Sequence, residues 1–99
     1  LEAQKKMVEQ NPTADNYIEL SLTLYRMKDF EGCVAACRKA LEINPNNAIA
    51  YNNICSAYNA MQQWKQAIEA CEQALRLAPD FERAKNNLNW AQRSLAGQK

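Results

Sequence analysis

Apolar residues recur at helical spacing in a series of short segments, each closed by a proline or a polar break. From Ala14 to about Met27 the residues Tyr17, Leu20, Leu24 and Met27 form one stripe, and that spacing predicts an amphipathic helix packing inward through it. Lys28 and Asp29 interrupt the pattern. From about Phe30 to Ile43, Cys33, Val34, Cys37, Ala40 and Leu41 define a second inward face, stopped by Asn44 and Pro45, since proline cannot continue a helix and draws the residue before it out of the helical region. The same order then restarts with Tyr51, Ile54, Tyr58 and Met61, a break at Gln62 and Gln63, the set Ala67, Ile68, Cys71, Ala74 and Leu75, and a stop at Ala78 and Pro79. Half-units flank this pair. Leu1 to Gln10 carries Met7 and Val8 and ends at Asn11 and Pro12; Glu82 to about Leu95 aligns Ala84, Leu88, Ala91 and Leu95. Six helices are predicted, with Thr13, Asp29, Asn46 or Asn47, and Asp80 as caps. Fraying is expected from Ala96 to Lys99.

Displaced by 34 residues, Tyr51 falls on Tyr17, Met61 on Met27, Trp64 on Phe30, Ala70 on Ala36, Cys71 on Cys37, Ala74 on Ala40, Leu75 on Leu41 and Pro79 on Pro45. This period, with an early aromatic, small residues in mid-helix and a terminal proline, resembles the tetratricopeptide repeat. The resemblance implies an all-α domain, a right-handed α-solenoid of antiparallel helix pairs. Full repeats are expected at 14–47 and 48–81, after a partial helix of a preceding repeat at 1–12 and before a capping helix at 82–96. Gln62 and Gln63 depart from the usual glycine-bearing turn. The chain opens at Leu1 in mid-pattern, which points to a fragment of a longer protein.

Composition narrows the chemistry. The net charge of +1 supplies no field for a phosphate backbone, so nucleic acid is set aside. No apolar run approaches the roughly 18 residues of a membrane span, and no signal-sequence pattern opens the chain. A soluble domain without direct membrane insertion is expected, the compartment staying open with the cytoplasm in front. Histidine is absent, Ser21, Ser56 and Ser94 have no evident base, and Glu31, Glu42, Glu69 and Glu72 take the spacing of a solvated helix face. No glycine-rich phosphate loop occurs. The reading is therefore of a chain that is no enzyme, with no catalytic residues and no cofactor. Of the four cysteines, Cys37 and Cys71 are equivalents in the two copies, and Cys33 and Cys55 stand where such repeats place small residues for close helix approach. All four are read as buried packing residues, with no metal, because a metal site would need further thiolates converging from other helices.

In a solenoid of this family the first helices of successive repeats line the concave face. The resemblance then puts Asp15, Ile18, Glu19, Leu22 and Arg26 there, followed by Ile49, Asn52, Asn53, Ser56 and Asn59, and by Arg83, Asn86, Asn87 and Trp90. The candidate peptide-binding residues among them are Glu19, Leu22, Asn52, Asn53, Ser56, Asn59, Arg83, Asn86, Asn87 and Trp90. Asn53 and Asn87 occupy equivalent positions, and a side-chain amide carries a donor and an acceptor that match a peptide backbone. The pair is similar to two rungs of the asparagine ladder in O-linked N-acetylglucosamine transferases; the alternative is that both are ordinary solvated groove residues. A second mode of the family clamps a C-terminal carboxylate. Asn53 and Arg83 suit it, whereas Ile18, Leu22 and Asn87 stand where it wants lysine, asparagine and arginine. Trp90 reads equally as an exposed anchor or as a cover for the groove edge, and Tyr25 and Trp64 read as packing at the helix turns. The expected function is a protein-interaction scaffold holding an extended peptide or partner segment. The alternatives are a structural unit self-associating through solenoid ends near Leu1, Met7 and Val8, or a regulatory or substrate-recruiting arm of a larger enzyme such as a glycosyltransferase.

Overall fold

The computed structural model describes residues 1–98, and these residues form six helices. They are α1 (Glu2–Gln10), α2 (Ala14–Arg26), α3 (Phe30–Ile43), α4 (Ala48–Ala60), α5 (Trp64–Leu77) and α6 (Glu82–Gly97). Three starts are closed as the sequence predicts. The Thr13 side chain accepts from the Asn16 amide at 3.1 Å, Asp29 Oδ1 from Gly32 at 2.9 Å and Asn47 Oδ1 from Ala50 at 3.1 Å, each satisfying one of the free donors of a first turn. A Cβ at Gly32 would lie 2.5 Å from Asp29 Oδ2, so a larger residue there would push the capping carboxylate aside. Asp80 does not cap α6. That helix starts behind Phe81 with no side-chain cap.

The two tight turns share one geometry. Lys28 and Gln62, one repeat apart, both adopt positive φ, 65° and 60°. After α2 the Asp29 amide donates to the Leu24 carbonyl and Lys28 to Tyr25, and after α4 Gln63 donates to Tyr58 and Gln62 to Asn59. This is the Schellman pattern, which satisfies the last carbonyls of a helix by passing one residue through the left-handed region. Two residues that are not glycine hold that position here.

Consecutive helices pack in antiparallel pairs, and in addition α2 meets α4 and α4 meets α6, whereas α3 and α5 do not meet. The first helices of the repeats therefore lie closer together than the second ones, and the stack curves with α2, α4 and α6 on its inner side. The all-α solenoid that the resemblance implies is the architecture found. Its core is made of small side chains. Cys33, Cys37, Ala40, Ala50, Cys55, Ala57, Ala67, Cys71, Ala74, Ala84 and Ala91 have no exposed surface, while the larger Ile18, Leu20, Leu24, Val34 and Ile54 surround them. Small residues at the crossings let the backbones approach, and cysteine behaves there as a compact hydrophobe.

Further expectations need correction. Cys55 and Cys71 are joined in a disulfide between α4 and α5, with Cα atoms 5.4 Å apart; only Cys33 and Cys37 are free. The contact that brings two small residues together at a helix crossing is also the contact a disulfide requires. Met27 leaves the inward stripe and is 56% exposed, because α2 ends at Arg26 and its phase no longer governs the cap residue. Ile18, expected on the concave surface, is buried. At the N-terminal end Leu1 and Val8 pack against the core, so Met7 alone of that trio is exposed. Of the segment expected to fray, Ala96 and Gly97 continue α6, and Lys99 lies outside the described residues.

No helix among the described residues is long and apolar enough to cross a membrane. Nor do the described residues include a cluster of histidine, cysteine, aspartate or glutamate suited to a metal ion.

Candidate functional site

The inner faces of α2, α4 and α6 enclose a hollow of about 340 Å³ lined by Leu22, Tyr25, Cys33, Asn52, Asn53, Ser56, Arg83, Asn86 and Asn87. Leu22 and Tyr25 arrive from α2, one turn apart. Asn52, Asn53 and Ser56 come from α4, and Arg83, Asn86 and Asn87 from α6, each triplet spanning a single turn so that its members point to one side. Arg83 is the only charged side chain in this lining.

A network of amides joins α4 to α6. Asn87 Nδ2 donates to Asn52 Oδ1 and to Ser56 Oγ, both at 2.9 Å, and Asn59 Nδ2 donates to the Asn87 carbonyl at 3.1 Å. Both amide protons of Asn87 are thus used within the protein, and its side chain ties two helices together before it can meet anything else. Burying an amide is costly without such partners, and three asparagines, Asn52, Asn53 and Asn59, are buried here. Asn52 and Asn59 are held by the network. Asn53 is 7% exposed, and its Nδ2 has no hydrogen-bond partner, so it stands apart from its neighbours.

Behind the hollow lies a buried thiol pair. Cys33 Sγ is 4.0 Å from the Asn53 carbonyl. A hydrogen bond to Cys37, together with burial, pushes the Cys33 thiol far above its ordinary range; the same bond holds the Cys37 thiol down against the opposing effect of its own burial, with help from Ser21. A donor thiol is stabilised neutral and its acceptor is stabilised as the thiolate. Neither sulfur reaches solvent, so the pair belongs to the wall.

A second hollow, about 420 Å³, adjoins the first at Tyr25, Ser56 and Asn87, and is completed by Asn59, Ala60, Gln62, Trp64 and Trp90. Trp90 is 62% exposed and lines this second hollow. Of the ten candidate residues, Leu22, Asn52, Asn53, Ser56, Arg83, Asn86 and Asn87 line the first hollow, and Asn59 and Trp90 the second. Glu19 lines neither and is exposed on α2.

Models of the tetratricopeptide repeat match residues 14–47 and 48–81, together about two thirds of the chain. The chain belongs to the tetratricopeptide repeat family. No curated protein matches it in sequence. Among solved structures it is similar to the first tetratricopeptide domain of Spaghetti (RPAP3) bound to the HSP90 peptide SRMEEVD, with 24% identity, a TM-score of 0.91, and coverage of 96% of this chain and 76% of that one. It is similar to MamA at 26% identity and TM-score 0.88, covering 96% of this chain and 52% of that chain. It is also similar to the TPR2B domain of yeast Sti1, solved as a pHsp70 complex, at 22% identity and TM-score 0.87, covering 93% of this chain and 79% of that one.

Two residues lining the first hollow of this tetratricopeptide domain lie outside the candidate set, Tyr25 and Cys33, as do Ala60, Gln62 and Trp64 in the second. Tyr25 was assigned to packing, and it does rest edge-to-face on Phe30 with ring centroids 5.3 Å apart. Its other side, 37% exposed in all, serves both hollows. The signal was available, since Tyr25 follows Leu22 by three positions on α2. Cys33 could not have been found this way: it enters from α3, through the gap between the inner helices.

Proposed function

We propose that this tetratricopeptide domain binds an extended peptide in the groove across α2, α4 and α6, with Asn53 as its principal polar anchor. The observation that carries the reading is the Asn53 Nδ2 donor, buried without a partner in a residue that lines the hollow beside Arg83. An unpaired buried donor costs about 1–3 kcal/mol, and a ligand oxygen that reaches it recovers that cost. A backbone carbonyl or a terminal carboxylate is the matching group. Arg83 adds charge for the carboxylate case, and Leu22 with Tyr25 supplies apolar area for a side chain. That related folds hold peptides supports the reading, as in Spaghetti with SRMEEVD and Sti1 with its pHsp70 partner.

The asparagine row takes a different form from a ladder of equal rungs. Asn53 is the rung with an unpaired donor; the amide protons of Asn87 hold Asn52 and Ser56, which leaves its Oδ1 as the side-chain group for a ligand. With one cation in the lining, an acidic tail is held by less charge than a clamp of several lysines and arginines would provide. Extended segments with an ordinary backbone and few charges fit it better.

The test is selection of ligands from a random peptide library, one arm with free and one with amidated C-termini, followed by calorimetry. Selected peptides are expected to lose roughly fivefold or more in affinity on Asn53→Ala, on the order of 1 kcal/mol for one net hydrogen bond. Peptides that bind Asn53→Ala as tightly as the original protein remove Asn53 as the anchor, and an unproductive selection in both arms removes the peptide reading itself.

A further inference from the structure

We propose that the second hollow is a subsite for a cationic side chain, arginine or lysine, and that it works beside the acceptor-seeking first hollow. Three rings, Tyr25, Trp64 and Trp90, line it together, and among the described residues no lysine, arginine, aspartate or glutamate does. Ring faces attract a cation through their quadrupoles, and tryptophan does so best. Trp90 meets this role with most of its surface open.

Tyr25 lies in the last turn of α2 and Ala60 is the last residue of α4, so two helix C-termini, each a partial negative charge, end at the hollow. Trp64, the first residue of α5, brings an opposing positive end, and Phe30, the first residue of α3, packs on Tyr25, so the helix ends nearly offset one another and the rings carry the attraction. Arg26 and Arg93 lie on neighbouring turns of α2 and α6 but do not line the hollow.

An unfilled acceptor points the same way. Asn59 is 9% exposed, lines this hollow, and its Oδ1 is buried with no partner. Its amide orientation is fixed, because Nδ2 faces the Asn87 carbonyl, which can only accept. What remains free is therefore an acceptor, and a ligand group that completes it must donate. An ammonium or guanidinium does this while stacking on the rings; an aliphatic side chain does neither.

The two hollows share Tyr25, Ser56 and Asn87, so one bound segment spans both. The free groups have opposite polarity: a donor, Asn53 Nδ2, in the first and an acceptor, Asn59 Oδ1, in the second. Used this way the inference rests on the peptide reading above, and it selects segments with an arginine or lysine next to the residues held by Asn53. The cation subsite can be tested without any peptide, which keeps the two failures apart.

The chain has only two tryptophans, both in this hollow, so their indole N–H signals report on it directly. We expect N-acetyl-arginine amide and N-acetyl-lysine amide to shift both signals saturably, while N-acetyl-citrulline amide and N-acetyl-norleucine amide bind at least roughly threefold more weakly, as loss of the cation–π attraction implies. Trp90→Leu, at an exposed position that does not support the core, should weaken the arginine probe by a similar factor. Equal shifts with the neutral probes overturn the proposal in favour of an apolar pocket. Undiminished binding to Trp90→Leu, or no saturable shift with either cation, overturns it outright. Each of these results leaves the effect of Asn53→Ala on selected peptides untouched.

Discussion

Ser21 occupies in the first repeat the place that Cys55 holds in the second, 34 positions later. Cys55 is bonded to Cys71; Ser21 lies against Cys37, the first-repeat equivalent of Cys71, and influences its thiol. One helix crossing is thus built twice, once with two sulfurs and once with a hydroxyl and a sulfur. Ser21→Cys should therefore close a second disulfide, to Cys37. Thiol titration of the unfolded protein should fall from the two free cysteines, Cys33 and Cys37, to Cys33 alone, with peptide mapping to identify the pair. A loop of this length should stabilise the fold by about 3 kcal/mol, seen as a melting temperature higher by on the order of 10 °C.

The existing bridge sets the matching loss. Cys55 and Cys71 are 16 residues apart, and reducing them should cost about 3 kcal/mol by the same loop-closure argument. Denaturant unfolding with and without reductant reads this as a lower midpoint. Cys55→Ala should reproduce the reduced value in both conditions, because the crossing accepts a small side chain. If reductant leaves the midpoint unchanged, the bridge contributes nothing to folding.

Much of this fold was legible in the chain because the repeat writes its geometry twice. A helix start needs a particular side chain at one position, and Thr13, Asp29 and Asn47 were readable as such. Nine of the ten candidate residues line one of the two hollows, a placement that came from the resemblance to the repeat and not from spacing. What spacing does not hold is the pairing of side chains between helices. That Asn87 spends its donors on Asn52 and Ser56, that Ile18 turns into the core and that two of four buried cysteines bond all depend on how closely neighbouring helices approach one another. Met27 shows the same limit at a helix end, where the period stops one residue before the stripe does.

Lys28 and Gln62 carry a removable cost. Both hold positive φ, where a side chain is disfavoured by about 1–2 kcal/mol and glycine is not. Lys28→Gly and Gln62→Gly should each raise stability by about 0.5–1 kcal/mol, the gain being reduced by the greater freedom of glycine in the unfolded chain. Being one repeat apart, they should add nearly fully. Gln62 also lines the second hollow, so an unchanged affinity for the arginine probe in Gln62→Gly would assign its role to the turn alone.

Asn53 and Asn87 sit at equivalent repeat positions yet should respond in opposite ways to truncation. Asn87→Ala removes two hydrogen bonds between α6 and α4 and leaves the buried Asn52 oxygen unpaired, a loss of roughly 1–3 kcal/mol. Its melting temperature should fall, with α6 exchanging its amide protons sooner than α4 and α5. Asn53→Ala deletes an amide whose donor has no partner, so stability should hold or rise slightly while affinity for selected peptides falls. Thermal melts and peptide calorimetry on the two single variants separate a residue that joins helices from one that faces a ligand. Equal destabilisation by both would mean that Asn53 also serves the scaffold, and its unpaired donor would lose its claim as the anchor.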